Sequence, residues 1–199
     1  AGVVGGGNVF GGAALAGTDV GGGVADRMGM LATLMNGLAL RDLVRASGAA
    51  HGIGCTLLTG LPVPDVAPTF SRDAALAAFA RRDVVVLAGG TGQPYFTTDT
   101  AAVLRALQID ATRLLKATSV DGVYDADPRK VSGARRYDRV SFRTCLEKSL
   151  RIMDQTAFAL AADHGLEIVV FSMRAPGAVR AAARGDAVGT RVVSDADTP

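Results

Sequence analysis

Four times along this chain a strand-sized apolar run stops at a loop of glycine or threonine, and a helical pattern usually follows. Ala1–Val4 runs into Gly5–Gly12. Asp83–Ala88 runs into Gly89–Thr98, ahead of a helix near Asp99–Leu107. Arg113–Ala117 runs into Thr118–Pro128, and Glu167–Ser172 leads to a short helix near Gly177–Arg184. Valine-rich runs bounded by glycine suit central parallel strands, because both faces of such strands are covered. Alternation with helices predicts βαβ units and an α/β fold: a three-layer α/β/α arrangement with a mainly parallel central sheet.

The helices have local signals of their own. Asp26–Ala46 carries Met30, Leu34, Met35 and Leu38 at helical spacing, with Arg41, Asp42 and Arg45 on the polar side and Gly48 just past its end. Its methionines are expected to fill core. Ser71 is the expected N-cap of Arg72–Arg81, and Asp154–His164 is a helix stopped by Gly165. Leu58–Pro68, with three prolines, and Gly21–Gly23 read as loops. Residues 1–193 are expected to form one domain, and 194–199 a frayed tail.

Composition removes whole classes. A length of 199 residues, 49% of them hydrophobic and 20% charged, suits a globular core and excludes a disordered or collagen-like chain. No apolar run reaches bilayer length, and 21 basic against 19 acidic residues leave a net charge of +2. That balance argues against nucleic acid or a membrane as partner. Two cysteines, Cys55 and Cys145, make no disulfide framework and have no neighbouring His, so unreactive thiols and a reducing compartment are expected. His51 and His164 lack metal-ligand spacing and are expected at the surface.

Three segments carry chemistry. Gly5-Gly6-Gly7-Asn8 follows a strand, and backbone without Cβ atoms can approach a phosphate and offer it N–H donors; a tight strand-to-helix turn needs the same residues. Thr91-Gly92-Gln93-Pro94-Tyr95-Phe96-Thr97-Thr98-Asp99 leaves a strand and enters a helix, where hydroxyls and free N–H groups make an anion site; Asp99 could equally be a plain N-cap. Lys116 through Pro128 holds Asp121, Asp125 and Asp127 with Tyr124. Such carboxylates can hold Mg²⁺ or accept ribose hydroxyls, though Asp also favours turns and Tyr124 could simply pack.

Taken together, these segments closely resemble the bacterial uridylate kinases of the amino-acid kinase superfamily. The likeness is carried by Gly5-Gly6-Gly7-Asn8-Val9-Phe10, by Asp26-Arg27-Met28-Gly29-Met30-Leu31-Ala32-Thr33 with Asn36, and by Thr91–Asp99. Leu115-Lys116-Ala117-Thr118, Val120–Pro128, Met153-Asp154 with Ala157–Leu160, Pro176-Gly177-Ala178 and Gly189-Thr190 extend it to about Val193. The resemblance implies phosphoryl transfer from ATP, with Mg²⁺, to UMP, in pyrimidine nucleotide synthesis. It also implies a cytoplasmic homohexamer inhibited by UTP and activated by GTP. By position, Gly6, Asp26 and Thr91 through Thr98 (Gly92, Gln93, Pro94, Tyr95, Phe96 and Thr97 between them) would contact UMP. Gly7, Thr118, Tyr124 and Asp127 would contact ATP, and Asp99 and Asp154 would lie close to the reacting phosphates, Asp154 orienting a cation.

The departures from the family are also specific. A family strand and Lys-x-Ser-Gly loop would precede Ala1, and none of Lys116, Lys130 and Lys148 replaces that lysine by motif. Family arginines correspond to Gly11 and to the Gly21–Gly23 stretch, Gln93 stands where asparagine is usual, and Ser119 where lysine is common. Missing cations around a polyphosphate cost electrostatic stabilisation. The expected reading is a UMP kinase represented by a partial chain; a uridine-nucleotide-binding relative without turnover is the alternative.

Overall fold

The computed structural model describes residues 1–10, 19–128 and 130–197. Gly11 and Gly12 lie outside the described residues, as do Thr198 and Pro199 of the expected tail. By contacts the chain divides into two compact units, Ala1–Ala102 and Val103–Pro199.

Unit 1 contains β1 (Gly2–Val3), α1 (Gly22–Gly48), β2 (Cys55–Thr59), α2 (Arg72–Ala80), β3 (Val84–Ala88) and the first turns of α3 (Thr98–Gln108). Its sheet is wholly parallel in the order β1-β3-β2, with Gly2 beside Val86 and Cys55 beside Val84. The expected apolar strand at 83–88 is thus the central one, and Val85, Val86, Leu87 and Ala88 are all buried. A strand covered on both faces has no polar face to present, which is why this run lacks alternation. β2 continues into Leu58 and Thr59, residues that the three prolines had assigned to a loop.

The helix α1 is 27 residues long and begins four residues earlier than its apolar periodicity predicts. The expected Gly21–Gly23 loop is instead the helix start, with the Gly21 carbonyl accepting from the Val24 and Ala25 N–H groups. The first turn is closed by backbone alone, which side-chain patterns cannot signal. Of the helix methionines only Met30 fills core; Met28 and Met35 are 40% and 60% exposed. Leu34 packs with Leu57, Val86 and Ala88, and Leu38 and Val44 extend that cluster. Gly37 permits the approach: a Cβ there would sit 2.9 Å from Leu57 Cδ1 and 3.0 Å from Ala88 Cβ. Ser71 caps α2 as expected, its hydroxyl accepting from Ala74 N–H at 3.1 Å.

Unit 2 holds the rest of α3, then β4 (Arg113–Thr118), β5 (Arg139–Ser141), α4 (Phe142–Glu147), α5 (Gln155–Asp163), β6 (Glu167–Ser172), α6 (Ala178–Arg184) and β7 (Thr190–Val193). Its sheet has the order β4-β6-β7-β5, parallel except between β6 and β7. The α/β class with mainly parallel strands is therefore as expected, its described strands forming one sheet in each unit. The short strands β5 and β7 and the helix α4 have too few residues to show a period, and periodicity did not reveal them. On one sheet face Ile168, Val170 and Val192 meet Phe142, Ala157, Phe158 and Ala161, and the Phe142 and Phe158 rings meet edge to face at 5.2 Å. Asp154 caps α5, accepting from Ala157 N–H at 3.0 Å. Asp195–Asp197 forms a 3₁₀ turn, and Asp195 pairs with Arg143 at 2.9 Å.

Cys55 and Cys145 are both buried, and burial pushes the thiols up, Cys145 to about 12. A buried thiol held protonated in this way is a poor nucleophile. His51 and His164 are exposed.

Two polar contacts tie elements together and can be tested. The buried Thr33 hydroxyl donates to Met30 O at 2.7 Å and accepts from Gly89 N–H at 2.7 Å, joining α1 to the end of β3. Thr33→Val withdraws the acceptor from a buried amide and is expected to cost about 1–3 kcal/mol, read by urea denaturation. Glu167 bonds Arg191 at 2.6 and 3.0 Å and Arg113 at 3.3 Å. Burial works against its charge, but the Arg191 hydrogen bond and the Arg113 and Arg191 charges outweigh it and hold the carboxyl below its ordinary value. This pairing therefore stabilises the fold above the ordinary carboxyl range and is lost as pH falls through the lowered value. Glu167→Gln is expected to lower stability at pH 7 and to flatten its decline below about pH 4.5 in a pH series of denaturation curves.

Candidate functional site

In unit 1, two glycine turns and two helix N-terminal regions meet around a cavity of about 200 Å³. It is lined by Gly6, Gly7 and Phe10 after β1, by Asp26, Gly29, Met30 and Thr33 of α1, and by Gly90, Gln93, Phe96, Thr97 and Thr98 after β3. Gly6 is required here: a Cβ would lie 2.8 Å from Gly29 O and 3.0 Å from Ala32 Cβ, so only glycine lets the β1 loop lie against α1. The Gly6 carbonyl accepts from Val9 and Phe10 N–H groups, both at 2.9 Å, closing the turn.

The second loop is shaped by φ-positive residues. Gly89, Gly90 and Gly92 have φ of +73°, +58° and +83°, and Tyr95 has φ of +70°. A left-handed tyrosine costs on the order of 1–2 kcal/mol, and Asp26 offsets it by accepting the Tyr95 N–H at 2.7 Å. Thr91 Oγ1 accepts from Gln93 N–H at 3.1 Å. The cap of α3 is Thr97, whose hydroxyl accepts from Thr100 N–H at 3.1 Å. Asp99, weighed as a plain N-cap, lies two residues further on, in the first turn. An acidic residue there favours the positive helix end.

The pocket therefore gathers Gly6, Asp26, Gln93, Phe96, Thr97 and Thr98 of the expected UMP set. Thr91, Gly92, Pro94 and Tyr95 shape the loop and are not among its lining residues, and Tyr95 is 81% exposed. Gly7, expected on the ATP side, lines this same pocket. Chemically, the site offers glycine-turn amides and hydroxyls to an anion, a carboxylate to hydroxyls, and the Phe10 and Phe96 rings to a flat group.

Unit 2 has a cavity of about 500 Å³ lined by Thr118, Val123, Tyr124, Asp125, Asp127, Lys148, Leu150, Arg151 and Ile152, among others. Thr118, Tyr124 and Asp127 of the expected ATP set meet here. Part of the Asp-rich segment serves its own turn. Asp121 accepts the Tyr124 hydroxyl at 2.9 Å, which raises the phenol, and Asp125 accepts from Arg135 N–H at 2.8 Å. Lys148 and Arg151 add positive charge that motif reasoning missed; the available signal was their place just before Met153-Asp154. Lys148 also donates to the Tyr137 hydroxyl at 2.8 Å. Asp154 lines an adjoining cavity of about 700 Å³ with Met153 and Phe158, and the two cavities share Ser149, Leu150 and Arg151.

A further cavity of unit 2, about 380 Å³, is lined by Arg113, Arg136 and Arg191. Glu167 engages the first and third, and Asp121 and Asp138 lie 3.4 and 3.7 Å from the second, so its guanidinium charge is internally compensated.

The sequence pattern of the amino acid kinase family matches residues 3–172 of the chain. The uridylate kinase of Azorhizobium caulinodans is 50% identical over 184 residues, covering 92% of this chain and 76% of that protein. The uridylate kinase of Sodalis glossinidius is 45% identical over 190 residues, covering 96% and 77%. Among solved structures, UMP kinase from Bacillus anthracis matches with a TM-score of 0.90 at 32% identity, covering 98% of this chain and 79% of that one. UMP kinase from Ureaplasma parvum matches at 0.89 and 31%, covering 96% and 80%. With its motifs in family order and this similarity running over nearly its whole length, the chain belongs to the amino acid kinase family, among the uridylate kinases.

Proposed function

We propose that this chain carries the nucleotide sites of a UMP kinase: UMP as acceptor in the unit 1 pocket, ATP as donor in the unit 2 pocket. The observation that carries the reading is the unit 1 pocket, where glycine amides, Asp26 and the α3 N-terminus converge on a volume that suits a phosphate and its sugar. In the proposed pose, Thr97, Thr98 and the amides of Gly6 and Gly7 hold the acceptor phosphate, and Asp26 accepts ribose hydroxyls. Thr118, Tyr124 and Asp127 hold ATP, with Leu150 and Ile152 beside its base and Lys148 and Arg151 countering phosphate charge. Phosphoryl transfer depends on alignment and charge neutralisation rather than on covalent chemistry, so donors and cations are the parts required.

Mg²⁺ is assigned as the ion that travels with ATP. Among the described residues no group of three or more His, Cys, Asp or Glu is placed to hold a metal, so the nucleotide's own oxygens are the natural ligands. Asp99 and Asp154 are assigned to orient the reacting phosphates and this cation. UTP shares uracil, ribose and phosphate with UMP and is the expected inhibitor; GTP is the expected activator. Among the described residues no helix is long and apolar enough to cross a membrane. A cytoplasmic place, where both nucleotides are made and used, completes the reading.

A homohexamer draws support from α1. Val24, Met28, Leu31 and Met35, spaced four, three and four residues apart, are 55%, 40%, 49% and 60% exposed. At 100° per residue they form a stripe on the side of the helix opposite Asp26 and Thr33. An exposed apolar stripe of this kind marks an interface, and a second copy supplies a matching one.

Calorimetry with UMP, CMP and GMP tests the acceptor site: UMP is expected to bind best, and equal affinities would refute the assignment. Asp26→Asn is expected to weaken UMP binding about tenfold, and Thr98→Ala about fivefold, each by loss of a hydrogen bond made by or to a charged group. For the assembly, Leu31→Glu with Met35→Glu is expected to reduce the particle mass by light scattering, whereas an unchanged mass would show that α1 is not the contact.

A further inference from the structure

The Gly5–Gly6–Gly7 turn poses a problem that its glycines cannot solve. Glycine lets the backbone come close to a phosphate, but three in succession lose more freedom on ordering than any other triplet. Unless something holds the turn beforehand, that loss is charged against ligand binding. The turn is held from α1. Asn36 Nδ2 donates to the Gly5 carbonyl at 2.7 Å and to Asn8 Oδ1 at 2.6 Å, while Asn8 Nδ2 donates back to Asn36 Oδ1 at 3.2 Å. Both donors and the acceptor of the Asn36 amide are thereby used on one loop. Because the peptide is planar, fixing the Gly5 carbonyl also fixes the direction of the Gly6 N–H that follows it.

We propose that Asn36, locked by Asn8, is a positioning residue of the kinase: it presets the Gly5–Gly6–Gly7 turn so that its amides meet the acceptor phosphate without being ordered by it. This rests on the assignment of the unit 1 pocket to UMP. Only a carboxamide fits position 36, because the contact needs two donors and one acceptor. Position 8 has a looser requirement: a carboxylate there still accepts from Asn36 and leaves the Asn36–Gly5 bond in place.

That asymmetry provides the test. Asn36→Asp and Asn8→Asp put the same charge on either side of one amide contact, so repulsion of the phosphate is matched between them. UMP affinity of the full chain, measured by calorimetry at pH 7, is expected to fall about tenfold in Asn36→Asp and at most about threefold in Asn8→Asp, as one or two hydrogen bonds are lost. Asn36→Ala, which removes both donors without adding charge, should also lose UMP affinity, showing that the loss in Asn36→Asp is not repulsion alone. Hydrogen exchange should quicken in residues 5–10 of Asn36→Asp while the β3 amides keep their protection, separating loosening of the turn from unfolding. Equal losses in the two Asp variants, or faster exchange with unchanged UMP affinity, would overturn the proposal while leaving the pocket assignment intact. A parent chain that binds no UMP would overturn the assignment and this inference with it.

Discussion

The structure of unit 1 depends on one face of α1. Asp26, Thr33 and Asn36 are seven and three residues apart, which puts them on a single side of the helix, and each holds a different piece of loop. Asn36 takes Gly5 and Asn8, Thr33 takes Gly89, and Asp26 takes Tyr95. Gly37, on the same side, lets the helix lie close enough to β2 and β3 for those bonds to form. A helix is the stiffest element available for this purpose, and the hydrogen bonds of three side chains along it fix two glycine-rich loops relative to each other. The pocket is what remains between them.

This arrangement explains why so little of the pocket is charged. Backbone amides and hydroxyls held in place cost nothing to reorganise when a phosphate arrives, and inside a partly enclosed site they act more strongly than in water. Asp26 both offsets the strain at Tyr95 and lies in the pocket wall, so the same carboxylate supports the loop and is available to a sugar. Phe10 and Phe96 supply surface on which a planar group can rest.

Unit 2 uses charge differently. Glu167 bridges two strands through Arg113 and Arg191, and Arg136 is matched by Asp121 and Asp138, so most arginines nearby serve the fold. Among the described residues, Lys148 and Arg151 are the cations that line the cavity with Tyr124 and Asp127, Lys148 also donating to the Tyr137 hydroxyl. A lysine-poor chain thus places one of its three lysines where phosphate charge is expected. The buried cysteines take no part, since a thiol raised to about 12, as in Cys145, stays protonated at any physiological pH.

What the sequence determined by itself was whatever depends on near neighbours. The strand-sized apolar runs became β1, β3, β4 and β6, Ser71 became a helix cap, and the glycine and threonine motifs identified the family. These signals survive because turns, caps and strand burial are set within a few residues. Tertiary structure decided the rest. Asp26 meets Tyr95 across 69 residues, Thr33 meets Gly89 across 56, and Asn36 meets Gly5 across 31. Which methionines of α1 are core, that Gly21–Gly23 starts a helix, and that Lys148 and Arg151 line a cavity all follow from packing. The physical reason is common to them: a side chain's partner depends on helix phase and on how closely two elements approach, and neither is written in the residues beside it.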